Sequence, residues 1–377
     1  MHQVWRLPKP VPSKSHYYEQ SLRIRLRRQA IMEQFNLADG AKLIVKENVL
    51  AVICDNALMT VSSAVFNGGW KQAKAVLNVG VPEGYNDRSL HLDPLELITS
   101  SAAKLGLTKD YVAMLTAAKI KNYSLVQKKA ADFSVSVAAT AGCSHGESSG
   151  EETNVQEIGG GTINVLVLID ANPTQSCMVA SVITVTEAKS AVLRDFDIRS
   201  LYTGDSATGS ITDSVTVAST GKGKTMGYGG PASKLGKVVG YCTRKAVTEA
   251  LIKQEPIWAS RTVLDRLKER HLPPEKLAAE VSKVEGLTVT AERLAEILKN
   301  KPLTLAQLLV AAKMDDEVKK SILPVELGDV DGLSKRFSNP DNPTEDLAKL
   351  PSYDAVDLPP FLKQSLIKIV RKALSEA

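Results

Sequence analysis

Aromatic side chains are scarce in this sequence, with Phe, Trp and Tyr together making up 5% of 377 residues. A folded core must therefore be filled by Val, Leu, Ile and Ala. Cysteine is also rare. Cys54, Cys143, Cys177 and Cys242 are the four, and no two form a CxxC pair. That excludes the disulfide framework of a small secreted domain and leaves no zinc-ligand spacing. No apolar run approaches the ~18 residues of a membrane span. The opening MHQVWRLPKPVPSK lacks the apolar segment of a signal peptide. These absences lead to the expectation of a cytoplasmic protein with reduced thiols, no membrane span and no resident metal.

Apolar residues at 44% and charged residues at 24% are ordinary for a globular chain. The length exceeds what one core usually holds, so two domains are expected. A net charge of +5 is small for this length. Arg23, Arg25, Arg27 and Arg28 concentrate part of it, and their alternation with Leu and Ile reads as a strand with one solvated face rather than a nucleic-acid surface.

The apolar pattern divides the chain into an arm with a leading strand (1–42), a central α/β domain (43–255) and a helical C-terminal region with a Pro-rich linker (256–377). The expected fold is mixed α/β: a mixed β-sheet packed by helices, plus a small all-α C-terminal part. ENVL reads as a turn between two strands of a meander. NGG at 67–69 is a strong turn signal and KAVLNVGV a strand. Asp93 and Pro94 open a helix that Gly106 ends. VAMLTAA and DFSVSVAATAG read as two strands joined through KKAAD, followed by a long polar loop from Gly142 to Gly161. TINVLVLID is a strand. The next long helix can use Ala180, Ile183, Thr184, Ala188, Ala191 and Val192 as one face. SITDSVTVAS is another strand, and KLGKVVGYCTRKAVTEALIK a second long helix. After Pro256 the segments are amphipathic and charged, without strands.

Two motifs are set aside on physical grounds. Ala218 to Thr225, ASTGKGKT, fits a loose phosphate-loop pattern, but MGYGGPAS follows where a helix must open, so it reads as a basic turn. Cys143 and His145 lie two apart, whereas a catalytic Cys–His pair is assembled from distant segments.

Polar islands between Asn164 and Gly236 carry more chemistry. They are GTIN at 161–164, TEAK at 186–189, GDSATGSITD at 204–213 and GGPASKLG at 229–236. Amide hydrolysis needs an activated nucleophile or water, a base, and donors for the oxyanion. Hydroxyl residues between glycines suit the first and third needs, and Glu187 and Lys189 can supply or tune the base.

TAG (140–142), GTIN, VTEAKSAVL (185–193), GDSATGSITDSVTVAS (204–219) and YGGPASKLGKVVG (228–240), in that order, resemble the adenosylcobinamide amidohydrolase family of corrinoid salvage over about residues 43 to 251. The resemblance implies cleavage of the amide joining aminopropanol to the corrin ring of adenosylcobinamide. The product would be adenosylcobyric acid, which feeds coenzyme B12 synthesis. It implies a cobalt-containing corrinoid as substrate; the sequence itself shows no need of an added cofactor, and its small net charge points to no nucleic-acid partner. The alternative is a corrinoid carrier on the same scaffold.

The candidate catalytic residues are Glu187, Lys189, Thr208, Ser210 and Asp213. Thr208 or Ser210 would act as nucleophile or water-positioner, Asp213 and Glu187 as base candidates, and Lys189 as charge partner. Asn164 and backbone amides at Gly209 would hold the oxyanion. Asn67, Gly68 and Gly69 would shape the ring pocket. Thr140, His145, Thr162, Ser233 and Lys234 complete the substrate-binding set. Departures from the family pattern fall at CSHGES near His145 and at Ile211, where a glycine is usual. The C-terminal helices are the candidate surface for a homo-oligomer.

Overall fold

The computed structural model describes residues 33–82, 94–144, 146–151, 161–284, 286–299, 301–320, 358 and 360–375. The basic alternating stretch at 21–29, Asp93, His145 and most of the Pro-rich linker lie outside them. The chain divides into two compact units. The first comprises 1–144, 159–192 and 210–255; the second comprises 145–158, 193–209 and 256–377.

The first unit is built on a nine-stranded mixed sheet. Its strands are β1 (Glu33–Ala38), β2 (Ala41–Lys46), β3 (Val49–Ser62), β4 (Gly69–Gly80), β5 (Tyr111–Thr116), β6 (Ser124–Lys129), β7 (Ser134–Gly142), β8 (Thr162–Asp170) and β9 (Ser214–Ser219). The sheet runs β1-β2-β3-β9-β8-β7-β6, and β4 joins β3 to β5. β1 to β4 form an antiparallel meander, of which the β2–β3 hairpin turning at Glu47–Asn48 and the turn at the NGG are those read from the sequence. β8 and β9 are parallel, as are β4 and β5. Each parallel pair needs a crossover, supplied by α2 (Gln175–Asp195) and by α1 (Leu95–Lys104). α3 (Lys234–Gln254) packs on β6 and β7. The central strands read as continuous apolar runs because both faces are covered; Thr162 to Ile169 are buried without a break.

Three sequence expectations need correction. The KKAAD connection loses Lys128 and Lys129 to strand β6, which among the described residues is an edge strand paired with β7. Its Gln127–Lys129 end is exposed, which removes the apolar signal. β3 runs through Asp55 and Asn56 to Ser62, with a register irregularity between Ile53 and Leu58. α1 starts one residue later than expected, with Pro94 at the cap position. The buried face of α2 is Cys177, Met178, Ser181, Thr184, Val185, Ala188 and Val192, while Ile183 is exposed. Among the described residues α2 is also the one helix long and apolar enough to cross a membrane by length and composition, and half of that stretch is buried in the protein.

No helix opens at Lys224–Thr225; the loop runs on to α3, whose cap is Ser233. The second unit holds helices α4 (Ile257–Ser260), α5 (Val263–Lys268), α6 (Pro274–Ser282), α7 (Ala291–Lys299), α8 (Pro302–Lys319) and α9 (Pro360–Ser375). Leu267, Leu277, Val281, Leu294, Leu308, Leu362 and Leu366 are among the residues of its own apolar core.

Candidate functional site

Asp213 stands immediately before β9, where its carboxylate meets four donors. Oδ1 accepts from the Ile163 N–H at 2.9 Å and from the Ser210 hydroxyl. Oδ2 accepts from the Ser210 N–H at 3.1 Å and from the Lys189 ammonium. The lysine and aspartate side chains are 8% and 14% exposed, so the ion pair sits in a low-dielectric setting where charge–charge energies are large. Three elements make this contact: the last turns of α2 supply Lys189, the start of β8 supplies Ile163, and the turn before β9 supplies Ser210. Parallel pairing of Ser214 with Asn164 sets the register that brings Asp213 over Ile163.

A second polar group lies inside the first unit. Thr162 and Thr212 share a hydroxyl–hydroxyl bond of 2.8 Å, and Thr162 accepts from the Ala117 N–H. Asn164 donates through Nδ2 to Asn78 Oδ1 at 2.8 Å and to the Leu115 carbonyl at 2.7 Å. Asn78 in turn donates to Thr140, whose hydroxyl donates to Thr116. All five of Asn78, Thr116, Thr140, Thr162 and Asn164 are buried. Both amide hydrogens of Asn164 are thus committed, and its remaining polar atom, Oδ1, is buried without a hydrogen-bond partner. That atom is an acceptor, so it fits an N–H group and not an oxyanion.

The structure therefore gathers Lys189, Ser210 and Asp213 into one constellation, and Thr140 and Asn164 into one buried chain beside Thr162 and Thr212. It does not gather Glu187, which is exposed on α2 while Lys189, two positions on, is buried; residues two apart on a helix face different ways. Thr208 belongs to the second unit, where its hydroxyl pairs with Ser149 at 3.0 Å and its N–H donates to the Glu147 carbonyl. Gly209, in the same unit, is buried.

Asn67 is at the β3–β4 turn with φ 55° and donates to the Tyr111 carbonyl at 2.9 Å. Gly68 is required there because a Cβ would lie 2.4 Å from the Ala64 carbonyl oxygen. Ser233 caps α3, accepting from the Gly236 N–H and donating to the Gly230 carbonyl; Lys234 is exposed.

Sequence reasoning missed Asn78 and Thr116. Asn78 carried a signal, being the one polar residue between Ala75 and Val79, all of it buried. Cys143 is buried, and that burial, reinforced by the charges of Asp213 and Glu255, raises its thiol well above the ordinary value. A thiol held protonated is a poor nucleophile, in keeping with the setting aside of the Cys–His motif. Among the described residues no His, Cys, Asp and Glu cluster could hold a metal ion.

Comparison with known proteins adds a second line. The model of a family described as adenosylcobinamide amidohydrolase matches residues 34–258. An uncharacterized protein of Methanocaldococcus jannaschii is 30% identical over 211 residues, covering 50% of this chain and 81% of that protein. An adenosylcobinamide amidohydrolase of Methanosarcina mazei is 28% identical over 225 residues, covering 58% of this chain and 94% of that protein. A crystal structure of a Pyrococcus horikoshii protein overlays with a TM-score of 0.33 and 9% identity, over 54% of this chain and 77% of that one, too loosely to carry weight.

Proposed function

The chain belongs to the adenosylcobinamide amidohydrolase family, and from that premise we propose that it cleaves the amide joining aminopropanol to the corrin ring of adenosylcobinamide. The products are adenosylcobyric acid and aminopropanol, and the acid re-enters coenzyme B12 synthesis. The observation that supports the reading at residue level is the largely enclosed Asp213 carboxylate, bonded to both Ser210 and Lys189 within the motifs that carry the family resemblance.

In the proposed mechanism the Ser210 hydroxyl, aimed at Asp213 Oδ1, adds to the amide carbonyl carbon. Its proton passes to Asp213 and then to the departing aminopropanol nitrogen, and water releases the acid from Ser210. Lys189 holds the charge of Asp213 in place throughout. The free Oδ1 of Asn164 suits an amide N–H. Glu187, exposed and on another face of α2, is left out of the chemistry.

The test is incubation of the purified protein with adenosylcobinamide and mass spectrometry for adenosylcobyric acid. Product that disappears in Ser210→Ala supports the reading. A corrinoid spectral shift without product supports the carrier alternative, and neither signal refutes both.

A further inference from the structure

The segment that leads into Ser210 is held by helices outside the family match. That match ends at residue 258, and the Methanosarcina relative is covered to 94% of its length by 58% of this chain. The helices beyond are therefore additional to it. Within the second unit they grip residues 196–205 repeatedly. Arg199 donates to Asp316 on α8 at 3.0 Å and also to Asp197 at 2.8 Å. Arg270 donates to the same Asp197 oxygen at 2.9 Å. Arg261, itself paired with Glu269, donates to the Phe196 and Asp197 carbonyls. His271 Nε2 is 2.9 Å from the Leu201 carbonyl, and Lys319 is 3.8 Å from Asp205.

Two features show that this grip is built into the segment's own conformation. Asp197 has φ 55° and Gly204 φ 72°, both in the left-handed region. A Cβ on Gly204 would lie 3.2 Å from the Arg270 backbone. The guanidinium side chains are almost wholly enclosed, with Arg199 4%, Arg261 1% and Arg270 2% exposed. Three arginines face Asp197, Glu269 and Asp316 in balance, so charge neutrality depends on both sequence regions being present. An exposed linker module would not bury such a cluster against the motif it follows, because each enclosed charge needs its partner.

We propose that the C-terminal helices are a positioning element of the hydrolase, and that Arg199, Arg270 and Asp316 are positioning residues that fix segment 197–209, the approach to Ser210. This rests on the reading of 204–213 as the catalytic motif. Its consequence is that disturbing α8, outside the matched family region, lowers turnover.

The experiment is hydrogen–deuterium exchange of the full chain, paired with steady-state kinetics on adenosylcobinamide. In Asp316→Asn, amides of 197–209 are expected to exchange about tenfold faster or more, as local opening exposes them. kcat is expected to fall about tenfold while KM stays within about threefold, the split that marks a lost positioning effect rather than lost binding. Lys319→Glu, at the exposed margin, sets like charges beside Asp205. It is expected to lower kcat about threefold in dilute buffer and to recover near 0.5 M salt, as screening removes the repulsion. A merely misfolded variant would not recover with salt. A folded Asp316→Asn with unchanged exchange at 197–209 overturns the proposal. If Asp316→Asn does not fold, salt-reversible loss in Lys319→Glu supports the proposal, and unchanged exchange and kcat in dilute buffer overturn it. Exchange is measured without substrate, so failure of the hydrolase reading and failure of this one are told apart.

Discussion

The Lys189–Asp213 pair permits a sharp energetic test. Lys189→Met removes one donor from Asp213 but leaves the Ile163 N–H, the Ser210 N–H and the Ser210 hydroxyl. The carboxylate remains hydrogen-bonded, so the loss is expected to be about 1–3 kcal/mol. Asp213→Asn is more severe. It strands an ammonium that is 8% exposed and turns an amide N–H2 toward backbone donors, at about 3–5 kcal/mol. The double variant, Lys189→Met with Asp213→Asn, carries no buried charge and should be more stable than Asp213→Asn alone, with a coupling energy of about 3 kcal/mol that exceeds the loss from Lys189→Met. Urea unfolding of the four proteins gives the cycle. Activity assays on the same set separate structure from chemistry: stability returns in the double variant, turnover does not. Additive losses, or an Asp213→Asn cost under about 1 kcal/mol, would show that the pair is not buried as drawn. Turnover restored in the double variant would reduce the pair to scaffolding.

Ser210→Ala should fold normally and lose about a thousandfold or more in kcat/KM, read by product mass spectrometry. Glu187→Gln, at an exposed position, should keep turnover within about threefold; a deep loss would return Glu187 to the chemistry. Asp315, whose carboxylate accepts the Phe361 and Leu362 N–H groups at the start of α9, is raised to about 6, chiefly by burial. Its folded value lies above the ordinary 3.8. The protonated form is therefore favoured by folding, and docking of α9 should strengthen by up to roughly 3 kcal/mol as pH falls from about 6 to about 4 and weaken as pH rises through 6. Exchange of the α9 amides at pH 5 and pH 7 measures this, and Asp315→Asn should flatten the difference. Gly236→Ala would place a Cβ 1.9 Å from the Gly230 carbonyl oxygen and should destabilise the first unit by about 3 kcal/mol, seen as a lowered unfolding midpoint.

The β2–β3 hairpin, the β8–α2–β9 crossover and the two long helices were legible because each announces itself locally. β8 is apolar without a break from Val165 to Ile169, and α3 begins at a serine cap and runs for 21 residues. β6 was not legible, since half of a six-residue edge strand is exposed and its pattern depends on its partner. The full length of β3 was not legible, because Asp55 and Asn56 look like a break, yet they sit at an irregularity that a long hairpin tolerates.

Local legibility and catalytic legibility diverge at α2. TEAK places Glu187 and Lys189 side by side in the sequence, and both invite a chemical role. Helix geometry sends one to solvent and the other onto Asp213, which only the parallel register of β8 and β9 puts within reach. The same register decides Asn164. An asparagine at the start of a buried strand reads as an oxyanion donor until Asn78 and the Leu115 carbonyl take its two hydrogens, and those come from β4 and β5, 86 and 49 residues away in the chain. Residue type and spacing announce which groups are enclosed; which atom of each group is left to meet a substrate is decided by partners that pairing across the sheet supplies.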